Sequence, residues 1–260
     1  MKVLLALLSP LVSLRNLVLL MFVLVLAVLV HTGTVDLANA SMIGFAGFNF
    51  PEGSRFQFSS TFAATKAITT ISNADPAAVG SVGHGYVDGN EVLVVSGWED
   101  ATDTVFEVNQ TSADALELLG LNSVNTNFYP AGTGTGTMSL ISSWQTMPNV
   151  LTITTAGGDP RFTDVQLLAR RNAIKVPTGF NAQTITLTLA HDPADATWLA
   201  MLGLSKSLTP VAFKQILSGG AVTYGYGYMA CSPMPSLNVN QVNAVTVSLA
   251  LLGQSMSYTA

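Results

Sequence analysis

The chain has 260 residues, which is enough for one large domain or two small ones with a buried core. Only 10% of the residues are charged, against about 25% in an ordinary soluble domain. The formal net charge is −5 and Arg170, Arg171 and Lys175 form the one tight basic cluster, so the composition argues against a nucleic-acid-binding surface. The single cysteine, Cys231, excludes an intrachain disulfide, and it is interpreted as a half-buried thiol in a strand.

The beginning of the chain is strongly apolar. Leu17 to Val30 is an unbroken run of 14 apolar residues, shorter than the ~20 that a membrane span needs and of a length that suits a signal peptide. Ala38-Asn39-Ala40 would then be the cleavage site. Alternatively, translation begins at Met42 and residues 1–41 are an upstream extension with no role in the fold. A retained membrane anchor is the third interpretation.

The next part of the chain predicts short strands. Gly53 to Thr70 is predicted to form an opening pair of strands, because Phe56 and Phe58 alternate with polar residues. From Ile71 to about Leu140, strand-like runs at intervals of about 8–12 residues predict a small β-barrel. The runs are Glu91–Ser96, Val105–Val108 and Ala115–Leu118, and the turns are Asp75-Pro76, Gly83–Asn90 and Asn109–Asp114. Ala131–Thr137 alternates Gly and Thr, which predicts a flexible linker back to the main body.

The last part of the chain predicts more strands and one helix. The strands are Val150–Thr155, Thr184–Leu189, Val211–Leu217, Val222–Met229 and Asn243–Leu252. The helix is predicted to begin with Asp192 as its N-cap and Pro193 at its first position. Its apolar stripe would be Trp198, Leu199, Met201 and Leu202, and Gly203 would end it.

One strand has an unusual composition. Tyr224, Tyr226 and Tyr228 are predicted to share one face, with Gly225 and Gly227 on the other. A face without side chains lets another part of a protein approach closely. A contact with another subunit and a tightly packed interior are both consistent with this pattern. Arg170, Arg171 and Lys175 are interpreted as a solvated or subunit-facing loop.

The chain has no recognisable catalytic motif. His31, His84 and His191 are far apart and lack metal-ligand spacing. Glu99, Asp100 and Asp103 are the densest group of carboxylates and could bind Ca²⁺, but a solvated loop fits them better. Gly132 to Gly136 resembles a phosphate-binding loop, but no lysine follows it. We therefore predict that the chain is not an enzyme, with no catalytic, cofactor-binding or metal-binding residues and no cofactor.

Several segments of the chain, and the order in which they occur, resemble those of the tail tube proteins of siphophages and related prophages. These pieces are Phe56–Thr70, Pro177–Ile185, the Asp192-Pro193 helix, the Ser218–Ala221 hairpin and the Asn240–Val245 strand. The middle region is similar to a small β-module inserted in phage structural proteins and to the first catalytic cysteine half-domain of ubiquitin-activating enzymes. The residues of this second likeness are Ala78-Val79, Gly83–Gly85, Asp88-Gly89, Val92, Gly97, Val105–Val108 and Leu116. Such modules serve as decoration, so no activating activity follows.

The resemblance implies a mainly β fold, a β-sandwich or barrel of the tail tube type with one flanking α-helix and an inserted small β-barrel-like domain. Residues 42–70 and 139–260 would form the tail tube domain, residues 71–138 the inserted module with its Gly/Thr linker, and residues 1–41 the hydrophobic N-terminal segment.

In function, the resemblance implies a structural virion protein, the major tail tube subunit. Six copies would close into a ring, and rings would stack into a tube with an acidic or neutral lumen through which DNA passes without sequence-specific binding. Partners would be other copies of the chain and tail proteins such as the tape measure and the tail terminator. The protein would assemble in the host cytoplasm and reside in the virion tail. The alternative is a secreted bacterial β-rich binding protein or adhesin, with residues 1–40 as its signal peptide.

Overall fold

The computed structural model describes residues 51–259, so the predictions for residues 1–41, including His31, lie outside the described residues. The described part contains seventeen strands and one helix, α1, at Ala196–Ser207. The strands are β1 Arg55–Ser59, β2 Lys66–Ile68, β3 Thr70–Ile71, β4 Ala77–Gly80, β5 Glu91–Ser96, β6 Thr104–Ser112, β7 Ala115–Leu118, β8 Gly136–Leu140, β9 Gln145–Thr146, β10 Val150–Ala156, β11 Pro160–Val165, β12 Ile174–Phe180, β13 Thr184–Ala190, β14 Pro210–Ile216, β15 Val222–Cys231, β16 Ala244–Leu251 and β17 Met256–Tyr258. Between residues 51 and 259, no helix is both long and apolar enough to cross a membrane.

Eight strands form sheet I, in the order β10-β13-β16-β15-β14-β1-β9, with β17 paired to β15 beyond the end of β16. All of these pairings are antiparallel. The two edge strands, β9 and β10, are consecutive in the chain and are separated by Met147–Asn149 alone. Sheet I therefore curls back on itself, and Phe56 of β1 and Thr155 of β10 line one cavity of about 220 Å³. The mainly β fold with a single helix that the sequence predicts is confirmed for the described residues.

The inner face of sheet I holds the main hydrophobic core. Ile185, Leu187 and Leu189 of β13 are buried there, whereas the threonines between them point to the other face. Helix α1 covers part of this core with Trp198 and Met201. The period-2 alternation of the sequence thus predicts the buried face correctly.

Helix α1 begins and ends later than the sequence suggests. Its N-cap is Asp195, whose side chain accepts a hydrogen bond from the Trp198 amide at 2.9 Å. Asp192 instead accepts a hydrogen bond from Ala194 in the preceding turn. Gly203 lies inside the helix, and Leu208, in the left-handed conformation at φ 52°, forms the C-cap. The last turn persists because Leu204 packs against the core of sheet I.

Seven strands form sheet II, in the order β2-β8-β5-β6-β7-β4-β3. The predicted opening strand pair is wrong, because β1 pairs with β14 and β9 in sheet I whereas β2 pairs with β8 in sheet II. The turn predicted over Asn109–Asp114 is also wrong, because β6 continues to Ser112 and pairs with β7 across a much tighter turn. Sheet II has its own core, in which Trp98, Phe106 and Leu116 are buried.

The Gly/Thr segment before β8 is packed, not the flexible linker that its composition suggests. The Trp98 ring lies against Gly134, where an added Cβ would stand 2.8 Å from the ring. The Trp98 indole donates hydrogen bonds to Pro130 O and Thr133 Oγ1, at 2.9 and 3.1 Å. Gly136 begins β8, and an added Cβ would be 2.0 Å from Val95 O. These glycines are required by close packing.

Candidate assembly surfaces and a buried junction

Strands β11 and β12 form a two-stranded hairpin, called the arm here together with the loop 166–173 that joins them. The arm continues the pairing of β10 with β13, so residues 150–190 form one long hairpin with a break in the middle. The break lies at Gly157 and Gly158, which have positive φ angles of 84° and 78°. A Cβ on Gly157 would lie 2.0 Å from Ala182 O, so only glycine fits where the two halves meet.

The arm exposes large apolar side chains. Phe162, Leu168, Val176 and Phe180 are all exposed, and Leu168, in the loop, is fully accessible. In contrast to sheets I and II, the arm has no buried residue in either strand. A hairpin of this kind gains little from its own packing. Its apolar surface is therefore available to another molecule.

The arm is also the most basic part of the chain. Residues 159–180 contain four basic residues, Arg161, Arg170, Arg171 and Lys175, and two acidic ones, Asp159 and Asp164. Lys175 pairs with Asp164 at 3.5 Å, and both side chains are largely exposed. Arg170 and Arg171 lie in the loop at the end of the arm. Of the basic cluster predicted as a solvated or subunit-facing loop, Arg170 and Arg171 thus lie in the loop at the tip of the hairpin, whereas Lys175 lies in β12 next to that loop.

A polar cluster lies buried between sheets I and II, and we call it the junction. At its centre is Glu91, the first residue of β5, whose carboxylate accepts hydrogen bonds from Lys214 Nζ, Trp144 Nε1 and, at 2.6 Å, the Tyr224 hydroxyl. Glu107 of β6 lies 2.7 Å from the same hydroxyl. Because a phenol has one proton to donate, the two carboxylates share a single donor at this point. Glu91 and Lys214 form a largely buried ion pair.

Tyr258 extends the junction at the end of the chain. Its hydroxyl donates to Leu119 O at 2.8 Å and accepts from the Glu107 amide at 3.1 Å. Burial raises the pKa of Tyr258 to about 12. Burial, followed by the hydrogen bonds to Glu91 and Glu107, also raises the pKa of Tyr224 well above its usual value. Both phenols therefore stay neutral donors at any physiological pH.

Apolar side chains surround the junction. Leu93 and Val105 of sheet II pack against Ala212, Tyr224 and Tyr226 of sheet I. The opposite face of β15 is just as tight, since a Cβ on Gly225 would stand 2.8 Å from the Phe213 ring and one on Gly227 1.9 Å from Ala250 O. The sequence left open whether the glycine face of β15 contacts another subunit or packs inside the protein, and the structure shows that it packs inside the protein.

The histidines and carboxylates singled out from the sequence are not brought together. His84 is buried in sheet II, where its ring bonds to Ser112 O and to the Tyr86 amide. His191 packs edge-on against Trp198 beside α1. Asp100 accepts a hydrogen bond from Gln254, and Asp103 lies in a turn at φ 54°. Within residues 51–259, no three His, Cys, Asp or Glu side chains are grouped so that they could hold a metal ion.

Comparison with known proteins identifies the family of this β-rich chain. A family model described as phage tail tube protein matches residues 96–260. The chain belongs to the phage tail tube protein family. This tail tube protein is therefore a structural component of the virion tail, as the resemblance implied, and the alternative of a secreted adhesin is not favoured.

Two solved structures are similar to parts of this tail tube protein. The hybrid NMR and cryo-EM structure of the SPP1 tail tube is 16% identical, covering 46% of this chain and 70% of that chain, with a TM-score of 0.37. The cryo-EM structure of the anti-feeding prophage cap, which terminates a tube, is also 16% identical. It covers 45% of this chain and 83% of that chain, with a TM-score of 0.32. No curated protein sequence matches the chain.

Proposed function

We propose that copies of this protein close into rings of six, and that the rings stack into the hollow tube through which phage DNA passes. The observation that carries the proposal is the arm, a projecting hairpin whose exposed face is apolar and whose tip is basic. Family membership supports a role in the tube. The arm supplies what a stacked assembly needs, an element that leaves its own subunit and can reach the next.

The chemistry of the arm fits burial against another copy. Removing an exposed Leu or Phe side chain from water contributes about 1.5–3 kcal/mol. Phe162, Leu168 and Phe180 together offer several such contributions in each subunit. The tip arginines would meet acidic surface, since residues 66–140 carry nine Asp or Glu and one Lys, a net charge of 9 negative less 1 positive, or −8.

We further propose that sheet II is an inserted module attached to a tube domain built on sheet I. Its strands lie between Lys66 and Leu140, close to the predicted insertion of residues 71–138. The junction supports a fixed orientation of this module, because buried hydrogen bonds join Glu91 and Glu107 to β14 and β15. A module held in this way would lie on the outside of the tube, where its acidic surface would be solvated.

The remaining parts of the proposed function follow from the family. The tube would end at other tail proteins, such as a tail terminator, and would surround or contact a tape measure protein. Assembly would take place in the host cytoplasm, and no catalytic step is involved. In each case the support is membership of a structural family.

Electron microscopy of arm variants tests the proposal. The variant F162S/L168S/F180S removes most of the apolar surface of the arm, and V82S/V124S/F128S is the matched control, because these three residues are also exposed and apolar but lie in loops of sheet II. We expect wild type and control to form tubes of uniform diameter in negative stain, and the arm variant to stop at rings or subunits. Tubes formed equally well by the arm variant would contradict the role of the arm. A wild-type protein that stays monomeric at every concentration would contradict the proposed function itself.

A further inference from the structure

The two ends of sheet I carry different elements. The arm leaves sheet I at the end where β10 finishes, at Ala156, and β13 begins, at Thr184. The loop 232–243, which joins β15 to β16 and is called the β15–β16 loop here, lies at the opposite end, because Ala244 pairs with Ala190 at the end of β13. The length of β13 separates the two ends, a distance of about 20 Å at the usual rise of a strand.

The cavity of about 220 Å³ in sheet I lies at the same end as the arm, and we call it the end cavity. Thr155 and Gln183, next to the root of the arm, line one side of it, and Ser255 lines another. Its floor is apolar, since the rings of Phe56 and Phe213 also line it. These two rings are buried whereas Thr155 and Ser255 are exposed, so the end cavity opens to the surface of the subunit.

The β15–β16 loop presents apolar side chains to solvent at the other end. Val239 and Val242 are both exposed, and Val239 is 91% accessible. The loop is closed at its base, where Ser236 and Ala244 exchange backbone hydrogen bonds of 2.8 and 3.2 Å. A turn over residues 238–241, with a hydrogen bond of 3.2 Å between the first and the last of them, forms the tip. Val239 therefore projects from a shaped loop.

The β15–β16 loop and the end cavity match in chemistry. No residue of the loop is charged, and no charged residue lines the cavity. Valine side chains at the tip would lie against the rings of Phe56 and Phe213, while Asn238 and Asn240 beside them would reach the hydroxyls and amides of the rim. Such a contact buries apolar surface and leaves the polar groups of both partners with hydrogen-bond partners.

We propose that the tip of the β15–β16 loop of one copy enters the end cavity of a copy in the next ring. This inference rests on the proposed function, the stacking of rings, and names a second contact beside the arm. Two complementary surfaces at opposite ends of one molecule form a heterologous contact, which does not close within a pair and repeats along a stack. Because the end cavity lies at the root of the arm, both elements of one copy face the same neighbouring ring.

Disulfide cross-linking of assembled tubes tests the contact. The double variant V239C/S255C places one thiol at the tip of the loop and one at the rim of the end cavity. These two thiols lie at opposite ends of sheet I in one chain, too far apart to bond, so a disulfide between them joins two copies. The single variants V239C and S255C, which also keep the buried native Cys231, are the controls. Each variant is assembled, oxidised and separated on a denaturing gel without reductant.

We expect tubes of the double variant to give a series of covalent multimers that extends beyond six copies, because each ring is bonded to the next. Tubes of the single variants should give no such series. A series that stops at six would place the contact between neighbours within a ring, and intact tubes without cross-links would show that the tip lies elsewhere. Either result overturns this inference but leaves the proposed function intact, whereas failure of the wild type to form tubes would refute both.

A charge at the tip tests whether the contact is needed. In V239D a carboxylate would have to enter an apolar cavity without a cation, and V82D is the matched control, because Val82 is also exposed and apolar but lies in a loop of sheet II. We expect V239D to keep the thermal unfolding midpoint of the wild type, since Val239 is accessible in the subunit, and to form rings. Tubes should be lost at concentrations at which the wild type and V82D form them. Tubes of V239D as abundant as those of the wild type would overturn the inference.

Discussion

At the scale of single residues, the junction depends on long-range contacts between ordinary side chains. Glu91 meets Lys214 across 123 positions of sequence and Tyr224 across 133. The sequence predicts a strand that begins at Glu91 and another strand with Tyr224 on one face, and the structure has both. No local pattern could show that the two strands belong to sheets that pack on each other, so the junction was missed.

Removal of the lysine should destabilise the subunit strongly. Lys214→Met leaves the Glu91 carboxylate largely buried, beside Glu107, without its cation. Breaking a buried pair in this way typically costs about 3–5 kcal/mol, and we expect a loss near the lower figure because both side chains keep some exposure. Lys175→Met, which breaks the exposed pair with Asp164, is the control and should change stability by less than about 0.5 kcal/mol. Urea unfolding of purified subunits measures both, and equal effects would contradict the role of the junction.

At the scale of elements, most strands were predictable and the cap of the helix was not. The alternation of apolar and polar residues marks β13 and β16 to within a residue or two, because each buries one face. Strand β5 is marked instead by the apolar run Val92–Val95, which has buried residues on both faces. Helix α1 is preceded by two aspartates three positions apart, and each one accepts a local hydrogen bond. Asp195 caps the helix by accepting from the Trp198 amide, and the Trp198 side chain is buried in the core of sheet I.

Two glycines in different elements should respond to alanine in opposite ways. Gly227→Ala would place a Cβ 1.9 Å from Ala250 O, so the pairing of β15 with β16 must shift, and we expect a loss of more than about 2 kcal/mol. Gly203→Ala lies in α1 with no atom within 4 Å of the added Cβ, and should stabilise by about 0.5–1 kcal/mol. Thermal unfolding of both variants tests this pair. A Gly227→Ala variant as stable as the wild type would contradict the close approach of β15 to β16 at Ala250 O.

At the scale of the whole molecule, charge is separated along the chain. Residues 66–140, which hold sheet II and its loops, carry a net charge of −8, and residues 159–180, which are the arm and Asp159 before it, carry 4 positive less 2 negative, or +2. The composition shows that the chain is acidic and has few charged residues. The separation of these charges in space is seen only in the structure, where strands distant in sequence share a sheet. It matches two proposed environments: a solvated exterior and a contact between rings.

The central claim is that this protein builds a tube of stacked rings with sheet II on the outside. Cryo-electron microscopy of tubes assembled from the full chain tests it most directly. We expect stacked rings with the density of sheet II on the outer surface and the arm crossing between rings. Subunits that never assemble, or tubes whose channel is lined by sheet II, would contradict the claim.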